Sequence, residues 1–237
     1  ISNSGGSNLN WNLNIEFMDS TDDSSDRDLG DVISSHYSNL YESRGMVWVE
    51  DVLYAIYNYT LYKYTFSDTT LMLDASYNLN NNSYGITYDG DYLWIGKNNG
   101  QIRAYSLDGN DQNISFQSPV YDENSLTFDG EYFIVNDYNQ NNPPMYRIDY
   151  DGNVVSTYYM NFNRNDLYQS VWVENHNGGS LWTVTQDNTI IQISLTDNGG
   201  DILQEFQIPE YNYGYAITHD GTDLWFSPRN SYTLYQY

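Results

Sequence analysis

Hydrophobic and polar positions along the chain repeat a single motif. Tyr84–Trp94 (YGITYDGDYLW), Ser125–Ile134 (SLTFDGEYFI) and Tyr215–Trp225 (YAITHDGTDLW) each read as a short apolar run, an Asp-Gly turn and a second apolar run. Gly45–Tyr54 (GMVWVEDVLY) and Ser170–Trp182 (SVWVENHNGGSLW) are degenerate copies. Their first apolar positions, Met46, Ile86, Leu126, Val171 and Ile217, are spaced by 40, 40, 45 and 46 residues. Asp-Gly between alternating hydrophobics is a hairpin signal, and both turn residues are expected at positive φ.

A third strand is predicted after each hairpin at Leu61–Phe66, Ile102–Leu107, Met145–Tyr150 and Ile190–Leu195. A second turn then leads to a fourth strand at Leu71–Ser76, Asn113–Ser118, Val154–Met160 and Ile202–Ile208. Four antiparallel strands in 40 to 46 residues make one propeller blade, and no stretch keeps the 3.6-residue period of a helix. The expected fold is all-β: a single five-bladed β-propeller over 1–237, with blades starting near 45, 85, 125, 170 and 216. The fifth unit runs only to a third strand at Leu234–Tyr237. Trp11–Phe17 (WNLNIEF) alternates strictly and is the expected closing strand of blade 5, with 19–40 as an acidic connecting segment.

These repeats resemble the broad group of YncE-like and other Asp-Gly-x-x-Leu-Trp propellers over roughly 41–237. That resemblance implies the fold and no single activity, because one fold carries many functions. The stretch from Tyr41 to Val47 followed by Leu53-Tyr54 is similar to a pattern of the glutamine cyclotransferases, Thr-Gln-Gly-Leu and then Leu-Tyr-Glu-Ser-Thr-Gly. Ala55-Ile56-Tyr57-Asn58 stands where that family's Glu-Ser-Thr-Gly would fall.

Composition narrows the partners. Eight Lys plus Arg against 32 Asp plus Glu give a formal charge of −24, which repels phosphate backbones and argues against nucleic acid. No apolar run approaches 18 residues, so no membrane insertion is expected. Cysteine is absent. Asn58-Tyr-Thr, Asn81-Asn-Ser and Asn113-Ile-Ser match the glycosylation sequon, as an Asn-rich chain does readily by chance.

Candidate chemistry is sparse. There is no Gly-x-Ser-x-Gly, no phosphate loop and no Cys nucleophile. The segment from Asp19 to Asp31 is rich in Asp, yet counting from Asp22 an EF-hand would need Gly and Glu where Arg27 and Ile33 stand. A solvated acidic loop is the default there and a loose calcium site the alternative; no other cofactor is expected. His36, His176 and His219 lie in different units without metal-ligand spacing. Glu42, Asp122, Glu123 and Asp166 fall where carboxylates could converge near the axis as an acid–base pair.

A four-stranded blade puts its first-to-second and third-to-fourth turns on one face of the ring. Its second-to-third loops and the connections between blades lie on the other. The longer loops belong to that second face and carry Tyr beside Asn and Asp, a composition suited to contacting glycan or protein. Tyr57, Tyr59, Tyr138, Tyr211, Tyr213 and Arg229 are the expected ligand-binding residues. The expected function is a non-catalytic binding or structural propeller outside the cell, on a microbial envelope or a virion appendage, within a larger assembly. The alternative is a secreted propeller enzyme, glutamine cyclotransferase-like or carbohydrate-active, working at an axial carboxylate site.

Overall fold

The computed structural model describes residues 28–38, 41–67, 70–121, 123–137, 143–164, 167–208 and 214–237. They form five four-stranded antiparallel sheets arranged as the blades of a propeller. The first strand, β1 (Ser34–Tyr37), belongs to the last blade. Blade 1 holds β2 (Gly45–Val49), β3 (Val52–Tyr57), β4 (Thr60–Ser67) and β5 (Thr70–Asn78). Blade 2 holds β6 (Ser83–Tyr88), β7 (Leu93–Lys97), β8 (Gln101–Tyr105) and β9 (Asp111–Gln117). Blade 3 holds β10 (Glu123–Phe128), β11 (Phe133–Asp137), β12 (Met145–Ile148) and β13 (Val154–Tyr158). Blade 4 holds β14 (Leu167–Val173), β15 (Ser180–Thr185), β16 (Thr189–Thr196) and β17 (Gly199–Gln207). Blade 5 holds β18 (Gly214–His219), β19 (Leu224–Pro228) and β20 (Thr233–Gln236), with β1 as its outer strand.

The hydrophobic core is divided among the gaps between blades. Met46, Leu53 and Tyr64 of blade 1 pack against Ala216, Trp225 and Leu234 of blade 5. Tyr54, Ile56 and Leu61 meet Ile86, Leu93 and Ile95 of blade 2, and the remaining three gaps are filled the same way. Alternation along each strand supplies the two faces this needs. The inner strands crowd the axis. A Cβ on Gly45 would sit 2.7 Å from the carbonyl oxygen of Tyr84, and one on Gly85 would lie 2.7 Å from Leu126 Cβ.

Two expectations are corrected. The place beside β20 expected for Trp11–Phe17 is taken by β1, paired Ser34↔Gln236 through Tyr37↔Thr233. A strand has two edges, and β19 holds the other edge of β20. Trp11–Phe17 lies outside the described residues, as does most of the acidic segment. The Asp-Gly turns also differ from a two-residue hairpin. Only the glycines, Gly90, Gly130 and Gly221, take positive φ. Each Asp instead folds its carboxylate over a longer loop: Asp89 Oδ1 accepts from the Asp91 and Tyr92 amides at 2.9 and 2.8 Å, and Asp220 Oδ1 does the same for Thr222 and Asp223.

The ring is therefore closed by four residues of β1. Proline at His36, in the middle of that strand, removes a ladder donor and should lower the melting temperature of the whole ring in one cooperative transition. A loss of about 3 kcal/mol corresponds to a drop of about 6–12 °C in a chain of this size. A calorimetric scan unchanged from wild type would disprove closure by β1.

Candidate functional site

Near the long-loop ends of the inner strands, side chains fill the axis. Gln169 of β14 reaches across the ring: its Oε1 accepts from the Met46 amide at 2.7 Å. Its Nε2 donates to the carbonyls of Met46 and Ile86 at 2.9 and 3.2 Å. Ser125 and Ser170 hydrogen-bond side chain to side chain, and the Ser170 amide donates to Ser125 Oγ at 3.2 Å. The proposed acid–base carboxylates do not meet among the described residues. Glu42 is buried ahead of β2, Asp122 and Asp166 lie outside the described residues, and Glu123 is placed only by its backbone in β10.

The hairpin face carries the recurring aromatic chemistry. Trp94 and Trp225 sit five residues after their turn aspartates and donate Nε1–H to Asp89 Oδ2 and Asp220 Oδ2, each at 2.7 Å. Blade 3 has Ile134 in that place, and Arg147 Nε takes Asp129 Oδ2 instead at 2.6 Å. In blade 4 the acceptor for Trp182 is His176 Nδ1 at 2.8 Å. Sequence reading identified these tryptophans as repeat positions and missed the Asp–Trp bond; the fixed five-residue interval of Asp89–Trp94 and Asp220–Trp225 was its signal.

The gaps between blades end differently at this face. Tyr54 Oη donates to the Leu107 carbonyl and closes the first gap; Tyr150 stands edge-on to Trp94 and Phe133 in the second. Arg147 and Glu174 line a cleft of about 310 Å³ in the third. The fourth is roofed by Asp28–Asp31 and Ile33, with Gly30 against the Phe206 ring. The gap between blades 5 and 1 opens into a cleft of about 770 Å³. Ser34, His36, Trp48, Glu50, Asp51, Phe66, Asp220, Thr222, Trp225 and Gln236 line it. Trp48 stacks on Phe66 at 5.8 Å and lies 5.4 Å from Trp225, while His36 abuts Phe66 at 5.0 Å.

The long-loop face is the tyrosine face. Seven tyrosines are exposed among the described residues, and Tyr37, Tyr41, Tyr59, Tyr121 and Tyr232 lie at loops or strand ends on this side. Tyr150 lies on the hairpin face, and the Tyr159 carbonyl accepts from the Gly200 amide at the β16–β17 turn of that face. Tyr37 and Tyr41 both pack on Tyr232, with centroids at 5.8 and 5.1 Å. Of the expected binding residues, Tyr59 stands exposed in the β3–β4 turn. Tyr57 is half-buried against the blade 5–blade 1 core, and Arg229 is half-buried in the β19–β20 turn. Tyr138, Tyr211 and Tyr213 lie outside the described residues.

Two basic sites stand out, a half-buried histidine pair and a buried lysine. His176 and His219, far apart in sequence, meet edge to face at 5.2 Å. Each accepts on Nδ1, from Trp182 Nε1 and from the Gly221 amide, so each carries its proton on Nε2. Burial lowers the pKa of both, and the His176 neighbour lowers that of His219 further. No group of three His, Asp or Glu suited to a metal ion occurs among the described residues. Lys97 is wholly buried without a carboxylate, donating to Ser83 Oγ at 3.1 Å beneath the Tyr105 ring. Burial brings its pKa down from 10.5 to about 7.

A five-bladed propeller is thus the class that fold and site define. No protein-family model matches the chain, and no curated protein matches its sequence. Among solved structures it is similar to the glutaminyl cyclase of Myxococcus xanthus, at TM-score 0.70 and 11% identity over 87% of this chain and 94% of that one. It is also similar to a chain of the mitotic checkpoint complex, at 0.57 and 10% over 88% and 94%. A chain of a nidogen/laminin complex follows at 0.54 and 14% over 78% and 71%. At these identities the likeness is one of fold.

Both basic sites have a signed consequence for stability. Lys97 binds its proton less well folded than unfolded, so its stabilising contribution is full above pH 10.5 and is lost as pH falls toward about 7. Lys97→Met should therefore raise the melting temperature at pH 7 by at least about 2–4 °C, an advantage that fades as pH rises from about 7 to 10.5. A destabilised variant at pH 7 would contradict this. The histidine pair loses stability as pH drops below 6.5, and His219→Asn should flatten the fall measured by urea unfolding between about pH 7 and 5. An equally steep fall in that variant would exclude the pair as its source.

Proposed function

We propose that the chain is a non-catalytic recognition propeller, displayed outside the cell on a microbial envelope or a virion appendage. On this reading it engages a protein or glycan partner within a larger assembly through its long-loop face. The carrying observation is the segregation of exposed tyrosines, five of seven among the described residues, onto that face. Tyrosine offers a large rigid contact surface and a polar tip at small entropic cost. Exposed aromatics gathered on a rigid ring are the ordinary makings of a contact surface. Arg44 adds a cation there, its guanidinium 4.9 Å from the Tyr84 ring and 3.2 Å from Asn82 Oδ1. Gln169 across the axis favours binding over turnover, since it occupies the middle of the ring where an acid–base pair would work. The high Tyr and Asn content and the few Lys agree with an exterior location.

The test compares two triple-Ala variants, Tyr41/Tyr59/Tyr232 on the long-loop face and Asp91/Glu131/Asp151 at the turns of the other. Glycan arrays and capture of neighbouring proteins of the parent assembly are the readouts. The first variant should lose attachment, with hot-spot tyrosines each worth about 2 kcal/mol or more, and the second should keep it. Loss confined to the second variant would place the partner on the other face. Reproducible turnover of a substrate by wild type would replace this reading with the enzymatic one.

A further inference from the structure

We infer that the open cleft between blades 5 and 1, on the hairpin face, is a second binding site and takes an organic ammonium ion. The inference is independent of the long-loop surface. Three observations carry it.

The first is the wall. Trp48, Phe66 and Trp225 form one packed aromatic group, and their gap is the one that stays wide where the others end in a side chain, a small cleft or a roof. The faces of such rings attract a cation, tryptophan most strongly.

The second is the rim. Glu50, Asp51 and Asp220 line the cleft, and no Lys or Arg does. Asp220 is already used, by Trp225 Nε1 and by the Thr222 and Asp223 amides. Glu50 and Asp51 have no hydrogen-bond or ion-pair partner among the described residues. A cleft of one charge sign with aromatic walls, on a chain of charge −24, concentrates cations.

The third comes from comparing repeats. Trp172-Val173-Glu174 in blade 4 matches Trp48-Val49-Glu50 in blade 1. In blade 4 the indole N–H is taken by Glu174 Oε2 at 2.9 Å. In blade 1 the turn contracts to Glu50-Asp51, Glu50 adopts φ 54°, and Trp48 Nε1 is left buried without a partner. The carboxylate that serves structure in one blade is thereby released to the cleft in the other.

The chemistry of the occupant follows. The carboxylates are too dispersed to form a metal-ligand group, and about 770 Å³ holds a small organic molecule rather than a bare ion. A substituted ammonium satisfies the aromatic wall and the unpaired carboxylates together. It could come from a free amine such as choline or from a lysine side chain of a partner.

The test uses choline, n-butylammonium and a lysine-containing peptide with its acetyl-lysine counterpart. 3,3-Dimethylbutanol serves as the uncharged shape mimic of choline, and methyl glucoside and calcium chloride complete the panel. Binding is read from the indole resonances in heteronuclear NMR. Choline should bind at least about tenfold more tightly than 3,3-dimethylbutanol, with shifts at Trp48 and Trp225. The double variant Glu50→Gln/Asp51→Asn, which alters exposed side chains only, should cut choline affinity about tenfold and leave the alcohol unchanged. If the peptide outcompetes the free amines, the source is a partner lysine; the reverse result identifies a free amine. Equal binding of choline and its neutral mimic would overturn the inference, as would response to the glycoside or calcium alone, or no indole shift with any cation. The Ala variants of the long-loop face should leave these shifts intact, so either reading can fail without the other.

Discussion

No blade of this protein owns a complete hydrophobic core, and everything else about the ring follows from that constraint. Met46, Leu53 and Tyr64 are buried only because Ala216, Trp225 and Leu234 of the adjacent blade cover them. The same dependence runs around the circle, so the stability of each blade rests on two neighbours, as in other repeat architectures. A ring that opens at one gap exposes two apolar faces at once. This makes the pairing of β1 with β20 more than a local ladder: it holds shut the gap in which chain continuity gives no help. The close packing of the inner strands, with glycine at 45 and 85 and a serine pair at 125 and 170, is the geometric counterpart, since five strands meet only where side chains are small.

The hairpin face joins this architecture to chemistry. Each turn needs its buried polar groups satisfied, and in blades 2 and 5 the Asp carboxylate does so twice over, holding its own loop with one oxygen and a tryptophan with the other. The tryptophan is thereby fixed at the mouth of the gap between blades. Where a neighbour supplies Tyr150 or Leu107 the mouth is plugged, and where it does not the same aromatic wall faces a cleft. Binding capacity here is a packing motif left unfinished at one of five positions.

The blades could be read from the chain because inner and middle strands are buried on both faces and keep an apolar pattern at a regular interval. The outer strands resist that reading for the opposite reason. Ser34–Tyr37 alternates between half-buried and exposed, with no large side chain fully covered, so its four residues carry little hydrophobic signature. Trp11–Phe17 has the stronger alternation, and it drew the expectation away from β1. The long-loop face was legible as a composition, Tyr among Asn and Asp, though Tyr57 turns inward. Tyr37 and Tyr121, which stand exposed, fall outside the residues singled out. The cleft was illegible, because its walls come from β1, blade 1 and blade 5 and no spacing along the chain encodes their meeting. Nor could sequence spacing bring His176 beside His219.

The antiparallel sense of the β1–β20 ladder also has a mechanical meaning. β1 enters the ladder from the hairpin face and β20 leaves it there, with the Ile33 amide bonded to the Gln236 carbonyl at that end. Tension applied through Ile33 and Tyr237 would load one hydrogen bond at a time, peeling the clasp open from its end instead of shearing all its bonds together. A ring pulled from this side would yield at low force, whereas load entering at Tyr59 or Tyr121, which lie off the ladder, would act on whole blades and leave the clasp unloaded.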